Sequence, residues 1–196
     1  MHAQHQKLLS DQLLLYGKIY PPAQSQRLLE KLISIIDWQH DFVAFGRRFD
    51  IPRLQAWYAD AGVHYRYSDN MLQSHTWLEP LLTIKHDIEG YTGHIFNSVL
   101  LTYYRNGHDH VAWHADDEKE LGDAPVIASL SLGASREFHY RHNEHGQAGY
   151  LQLHSGELLV MQPGFQRCWQ HCIPAQPEIN MPRLNLTFRR VVMLRD

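Results

Sequence analysis

The sequence predicts a mostly β protein, an antiparallel sandwich or jelly roll with helices packed outside it. Three observations carry that prediction. From about residue 96 onward, segments rich in β-branched, aromatic and aliphatic residues follow one another: FNSVLLTYY, PVIASLSLG, REFHYR, GYLQLHSGELLVM and RLNLTFRRVV. Turn formers separate them at Asn106-Gly107, Gly133, Asn143, Gly146, Ser155-Gly156 and Pro163-Gly164. Two helical stripes come first, so helices precede a run of strands and no βα alternation is present.

The first stripe is SQRLLEKLISIID, residues 25–37, following the Pro21-Pro22 break. Leu28, Leu29, Leu32, Ile33, Ile35 and Ile36 recur there at helical spacing. The second is HTWLEPLLTIKHDIE, residues 75–89, with Pro80 tolerated early and Gly90 as the expected stop. We find no internal repeat, low-complexity tract, GxGxxG, P-loop or GxSxG motif.

At 196 residues, 44% hydrophobic and 20% charged, the chain fits one ordinary globular domain. The expected division is helices and a nucleotide-recognition lid over 1–94 and the jelly-roll core over 95–196. No apolar run approaches the roughly 20 residues of a membrane span. The start, MHAQHQKLLSDQLLLYGKIYPP, lacks a secretory pattern. An intracellular protein is expected, cytoplasmic or, in a eukaryote, nuclear, with no membrane partner and a monomeric state. Cys168 and Cys172 form no disulfide framework, and no second cysteine pair completes a structural zinc site around them. A net charge of −3 argues against a protein that coats nucleic acid non-specifically, but it leaves room for a local basic rim.

The carboxyl-terminal strand poses a question. In PRLNLTFRRV, side chains alternate between faces, with Leu184, Leu186 and Phe188 on one and Arg183, Asn185, Thr187 and Arg189 on the other. If both faces are covered, two guanidinium groups enter a confined space and need an anion.

The stretch HVAWHADDE, residues 110–118, supplies the other half of the argument. His114 and Asp116 stand two apart and share a face in an extended segment, and the distant CWQHC offers His171. Two histidines and one carboxylate occupy one face of an octahedral metal and leave three positions open, the arrangement of non-haem iron(II) oxygenases. Among 15 histidines, His-x-Asp alone is equally the spacing of a solvated acidic loop. Inward arginines on another strand change that reading. They suit a small dicarboxylate that chelates metal at one end and meets Arg–carboxylate forks at the other. A keto acid with a second carboxylate meets both demands, and 2-oxoglutarate is the one expected.

At these residues the chain resembles the AlkB family of iron(II)- and 2-oxoglutarate-dependent dioxygenases, most of all its members that repair alkylated nucleic acid. The resemblance runs from roughly Phe45 to Val191, through FNSVLLTYYRNGHDHVAWHADDE, PVIASLSLGASREFHYRH, HSGELLVM, WQHCIP and PRLNLTFR, in order. It implies a double-stranded β-helix core, Fe(II) bound by His114, Asp116 and His171, and O2 as oxidant. It further implies Arg183 on the distal carboxylate of the bound 2-oxoglutarate and Arg189 near the iron-chelating end. Asn185 and Tyr104 would be added contacts. Thr102 stands where relatives commonly carry Asn, and its hydroxyl has the shorter reach.

The implied reaction is oxidative N-demethylation of 1-methyladenine or 3-methylcytosine in DNA, with RNA a second candidate. The base must be flipped out or already single-stranded to be reached. Glu118 would meet an exocyclic amine, Tyr67 would stack on the base and Tyr65 would wall the pocket; without the resemblance, such a tyrosine pair reads as a half-buried strand. Phe45 beside Arg47, Arg48 and Arg53 suits an apolar wedge with phosphate-binding cations, and Arg141 lies in a second such turn. Two rivals remain open. One is the same chemistry on a protein, lipid or small molecule, and the other is a non-catalytic nucleic-acid-binding module.

Overall fold

The structure is a computed structural model. It describes residues 7–10, 12–44, 47–63, 66–67, 70–71 and 74–192, with side chains over 12–40, 51–63 and 75–192. In chain order the elements are β1 (Lys7–Ser10), β2 (Leu13–Lys18), α1 (Pro22–Ile35), β3 (Gln39–Ala44), β4 (Arg47–Ala59), β5 (Arg66–Tyr67), β6 (Asn70–Met71) and β7 (Ser74–His75). There follow α2 (Glu79–Thr92), β8 (Ser98–Tyr104), β9 (Val111–His114), a 3-10 turn (Lys119–Leu121), β10 (Ile127–Gly133) and β11 (Arg136–His142). The chain then forms β12 (Ala148–Leu153), β13 (Glu157–Met161), α3 (Phe165–Cys168), β14 (Trp169–Ile173) and β15 (Arg183–Arg189).

The larger sheet runs β1-β2-β13-β10-β15-β8-β4-β3, with β7 added to β4, and the smaller runs β12-β11-β14-β9. Residues of both sheets share one core, in which Leu100, Tyr104, Ile127 and Met161 of the larger meet Phe138, Leu153 and Ile173 of the smaller. That is the face-to-face arrangement of a jelly roll. The opposite face of the larger sheet carries Val99, Leu101, Leu130, Leu132, Leu184, Leu186 and Phe188, packed against Leu29 and Leu32 of α1 and Leu81, Ile84 and Ile88 of α2. Each such fully buried aliphatic side chain contributes roughly 1.5–3 kcal/mol. All seven residues of β15 are buried, so both of its faces are covered as the arginine argument requires.

The element boundaries differ from expectation for local reasons. α1 begins at Pro22, whose fixed φ and missing N–H suit a first helical turn. α2 covers 79–92, not 75–89; Gly90 stays helical and the chain stops at Gly93, which takes the left-handed φ of 71°. His75 lies instead in β7, paired in parallel with β4. Residues 1–94 also hold more than helices. β2 pairs with β13, and β4 pairs with β8, so the expected boundary at 94/95 runs through the larger sheet. No helix among the described residues is long and apolar enough to cross a membrane.

Candidate active site

Strand register builds the cationic side of the site. Across the larger sheet, Arg183 is opposite Tyr104, Asn185 opposite Thr102 and Thr187 opposite Leu100. On the other edge of β15, Ser131 and Ser129 oppose Asn185 and Thr187. Because side chains alternate, these rows point together to the face that meets the smaller sheet. There they line one cavity with His114, Asp116 and His171.

Two strands of the smaller sheet bring the histidines together. β14 pairs antiparallel with β9 so that His171 is opposite His114, and their ring centroids are 4.2 Å apart. Asp116 follows two residues after His114, with Oδ1 3.8 Å from His114 Nε2. Potential ligand atoms of all three residues lie within 4.8 Å of one another, close enough to hold one metal ion. His114 Nδ1 is 2.8 Å from the carbonyl of Ala112, an acceptor only. The proton therefore sits on Nδ1, and the Nε2 lone pair is free for a metal.

The electrostatics favour the ligating forms. Burial, reinforced by His114 and Arg189 alongside, brings the His171 imidazole down to about 3, so it is neutral at physiological pH. For Asp116, burial acts to raise the pKa. Arg189, His171 and His114 outweigh it, and the carboxyl sits below its ordinary range. Arg189 Nη2 donates to Asp116 Oδ1 at 2.8 Å, and the Asp116 backbone N–H donates to Gln166 Oε1 at 3.0 Å. Arg189 thus holds the carboxylate and Gln166 the backbone of Asp116.

Arg183 is 1% exposed. Its Nη2 donates to Ser131 Oγ at 2.9 Å and to Asn185 Oδ1 at 2.8 Å. Its Nε and Nη1 are buried with no hydrogen-bond partner among the described residues. The guanidinium lies over the Tyr104 ring, 5.1 Å from the centroid. Burial brings it down to about 10, which leaves it charged at physiological pH. A buried cation with two idle donors beside a metal-capable triad fits a chelating dicarboxylate, and the donor set fits iron(II). Asn185 turns mostly to its neighbours: Oδ1 also accepts from Ser129 Oγ at 3.0 Å, and Nδ2 donates to Thr187 Oγ1 at 2.8 Å. Orienting Arg183 is its visible work.

Of the sequence-predicted residues, His114, Asp116, His171, Thr102, Tyr104, Arg183, Asn185 and Arg189 line this one cavity. Arg53 lines it too, although the sequence placed it on a basic rim. β4 turns it inward, and its Nη1 donates to the His110 carbonyl at 3.4 Å. Glu118 was expected to share a face with His114 and Asp116. β9 ends at His114, and Glu118 caps the 3-10 turn, half-buried and outside the residues lining the cavity. Arg141 is exposed outside the cavity, 4.3 Å over the Trp113 ring and donating to Gln170 Oε1. Phe45 and Tyr65 lie outside the described residues, and of Tyr67 only the backbone, in β5, is described.

Four contributors escaped sequence reasoning. Gln166 steadies Asp116 from across the fold. Arg136, 1% exposed, donates to the carbonyls of Asn106, Asp109 and Pro174 and ties the segment before β9 to the segment after β14. Ser129 and Ser131 support the Arg183 row, and the alternation in IASLSLG was the one signal that could have found them.

Comparison with known proteins agrees with this geometry. The profile of the 2OG-Fe(II) oxygenase superfamily matches residues 12–189. The chain is 39% identical over 191 residues to the Mus musculus "Alpha-ketoglutarate-dependent dioxygenase alkB homolog 3", covering 90% of this chain and 65% of that one. It is 34% identical over 203 residues to the Mus musculus "DNA oxidative demethylase ALKBH2", covering 97% of this chain and 83% of that one. Thus the chain spans about 65% of the length of the first relative. A solved structure, "The structure of OsALKBH1", matches in fold with a TM-score of 0.66 at 17% identity, covering 94% of this chain and all of that one. Profile, relatives and jelly-roll core agree, and the chain belongs to the 2OG-Fe(II) oxygenase superfamily and, within it, to the AlkB family.

Proposed function

We propose that this protein oxidatively removes N-methyl groups from alkylated bases, 1-methyladenine and 3-methylcytosine, in DNA, with RNA a further substrate. The observation that carries the reading is the pairing, in one cavity, of a His–Asp–His set with the idle Nε and Nη1 donors of Arg183. The relative named DNA oxidative demethylase supports nucleic acid as the target.

His114 and His171 would hold Fe(II) through imidazole nitrogens and Asp116 through its carboxylate, a donor set that leaves room for co-substrate and O2. Arg183, oriented by Asn185 and Ser131, would receive the distal carboxylate of the co-substrate, 2-oxoglutarate, through an idle donor, with Tyr104 and Thr102 beside it. Arg189 keeps Asp116 ionised and aimed. When bound, iron, O2 and 2-oxoglutarate would supply the oxidation, one oxygen atom turning the N-methyl into an N-hydroxymethyl that sheds formaldehyde and the other entering 2-oxoglutarate as it becomes succinate and carbon dioxide. Leu100, Val111, Phe138 and Ile173 wall the cavity with apolar surface and limit water around the reacting methyl. The base enters flipped out or from a single strand. Arg53 meets it inside the cavity, and the same reading gives Tyr67 the role of base stacker, Tyr65 that of pocket wall, Glu118 that of partner to the exocyclic amine and Phe45 that of wedge. Arg141, exposed beside Trp113, takes a strand phosphate.

The reading includes a single catalytic domain acting as a monomer inside the cell, where two free thiols are in keeping with a reducing compartment. Incubating the purified protein with iron(II), ascorbate, 2-oxoglutarate and methylated oligonucleotides tests the activity. Formaldehyde and succinate are expected in equal amounts. No formaldehyde from either base, with succinate still formed by uncoupled 2-oxoglutarate turnover, moves the target to a protein, lipid or small molecule.

A further inference from the structure

β4 adds a side chain to the cavity that neither the triad nor the arginines require. Gln55 lines it, half-buried, in register with Thr102 on β8, which is itself in register with Asn185 on β15. No protein hydrogen bond to the Gln55 amide is found among the described residues, and the side chain lies on the cavity wall. An amide on a cavity wall with no protein partner is available to a ligand that offers the complementary donor and acceptor.

Two ligands could use it. Gln55 stands two strands from Arg183, roughly 10 Å across the sheet at about 4.8 Å per strand. The distal carboxylate already meets two idle donors on Arg183 itself. A carboxylate also accepts only, and would leave the Gln55 carbonyl idle. A purine edge with an exocyclic amine next to a ring nitrogen satisfies the whole amide, as glutamine does when it grips adenine N6 and N7. In 3-methylcytosine the amine has only a C–H neighbour on its unmethylated side, so one of the two bonds is lost.

We infer that Gln55 reads the flipped base, pairing its amide with N6 and N7 of a methylated adenine and biasing the enzyme toward 1-methyladenine over 3-methylcytosine. This rests on the demethylase reading above. Gln55→Met keeps the bulk of the side chain without its hydrogen bonds, and Gln55→Ala removes both. Each variant is assayed for kcat/KM on matched single-stranded oligonucleotides carrying either base, and for its Michaelis constant toward the co-substrate 2-oxoglutarate. Affinity for the same oligonucleotides is measured with Mn(II) in place of iron under nitrogen.

The expected result is a loss of about tenfold on 1-methyladenine and less than threefold on 3-methylcytosine in both variants, with affinities following the same order. Equal losses on the two bases would overturn the inference. So would a rise in the co-substrate Michaelis constant that accounts for the loss, because the amide would then serve 2-oxoglutarate. A wild-type protein that neither binds nor demethylates either oligonucleotide overturns the demethylase reading, and the base-reading role with it.

Discussion

Replacing Arg183 by methionine tests the anion argument in two opposite directions at once. In the ligand-free fold the guanidinium is buried against the neutral partners Ser131 and Asn185 and the Tyr104 ring. Its pKa falls from 12.5 to about 10. At 1.36 kcal/mol per unit, that places the cost of keeping it charged on the order of 3 kcal/mol. Methionine removes this cost but strands Ser131 Oγ and leaves Asn185 Oδ1 to Ser129 alone, at about 1–3 kcal/mol. The two effects nearly cancel, so the ligand-free melting temperature should stay within about 4 °C of wild type.

The ligand-bound state behaves differently. With Mn(II) in place of iron, wild type at 2-oxoglutarate one hundred times its Kd gains about 2.7 kcal/mol. For a domain of this size that raises Tm by about 5–10 °C. The variant loses two charge-assisted hydrogen bonds at about 1.5–3 kcal/mol each, and the same concentration should produce almost no rise. Scanning calorimetry reads both quantities. A wild-type-sized rise in the variant, or a ligand-free drop beyond about 10 °C, would refute an uncompensated cation waiting for a carboxylate.

Asp116→Asn removes the anionic ligand and the buried partner of Arg189, and unpairing a buried ion costs about 3–5 kcal/mol; Co(II) titration by absorbance should show affinity weaker by at least a hundredfold. Gly107→Ala aims a methyl group at the Gln176 carbonyl, in a loop pair joined by the Gly107 N–H to Ile179 and the Gln176 N–H to Gly107. It should cost about 1–3 kcal/mol in urea unfolding. In the metal-free protein, His171 has a folded pKa of about 3, below its ordinary 6.5. Between those values the unfolded chain binds a proton that the folded chain refuses. Stability should therefore fall as pH drops from 6.5 toward 3, by up to about 1.4 kcal/mol per pH unit, and fall less in His171→Leu. Tyr20→Phe deletes the 2.6 Å hydrogen bond to Asp87 and should lower stability by about 1–2 kcal/mol while sparing the Michaelis constant for the co-substrate.

Much of the site was readable without coordinates because it obeys local periodicity. The two-residue repeat in β15 assigns its arginines to one face whatever the sheet around it, and the His114–Asp116 spacing holds even though the strand ends at His114. β2 and β4 were missed. LLLYGK reads as a short apolar patch, and RRFDIPRLQAWYA mixes charges with apolar residues without a clean alternation. Arg53 looked like rim and faces inward, because its direction follows from the pairing of β4 with β8. Glu118 looked coplanar with the triad, but the 3-10 turn diverts it.

By itself the sequence determined which side chains share a strand face, that both faces of β15 would be apolar or anion-seeking, and which residue types were available to hold a metal. Tertiary structure alone decided that β14 and β9 set His171 opposite His114, that Gln166 reaches Asp116 across 50 residues, and that Gln55 faces the cavity. The physical reason is that side-chain alternation is fixed by bonded geometry within a few residues. Register between strands is instead chosen by the closure of the whole barrel, to which every segment contributes.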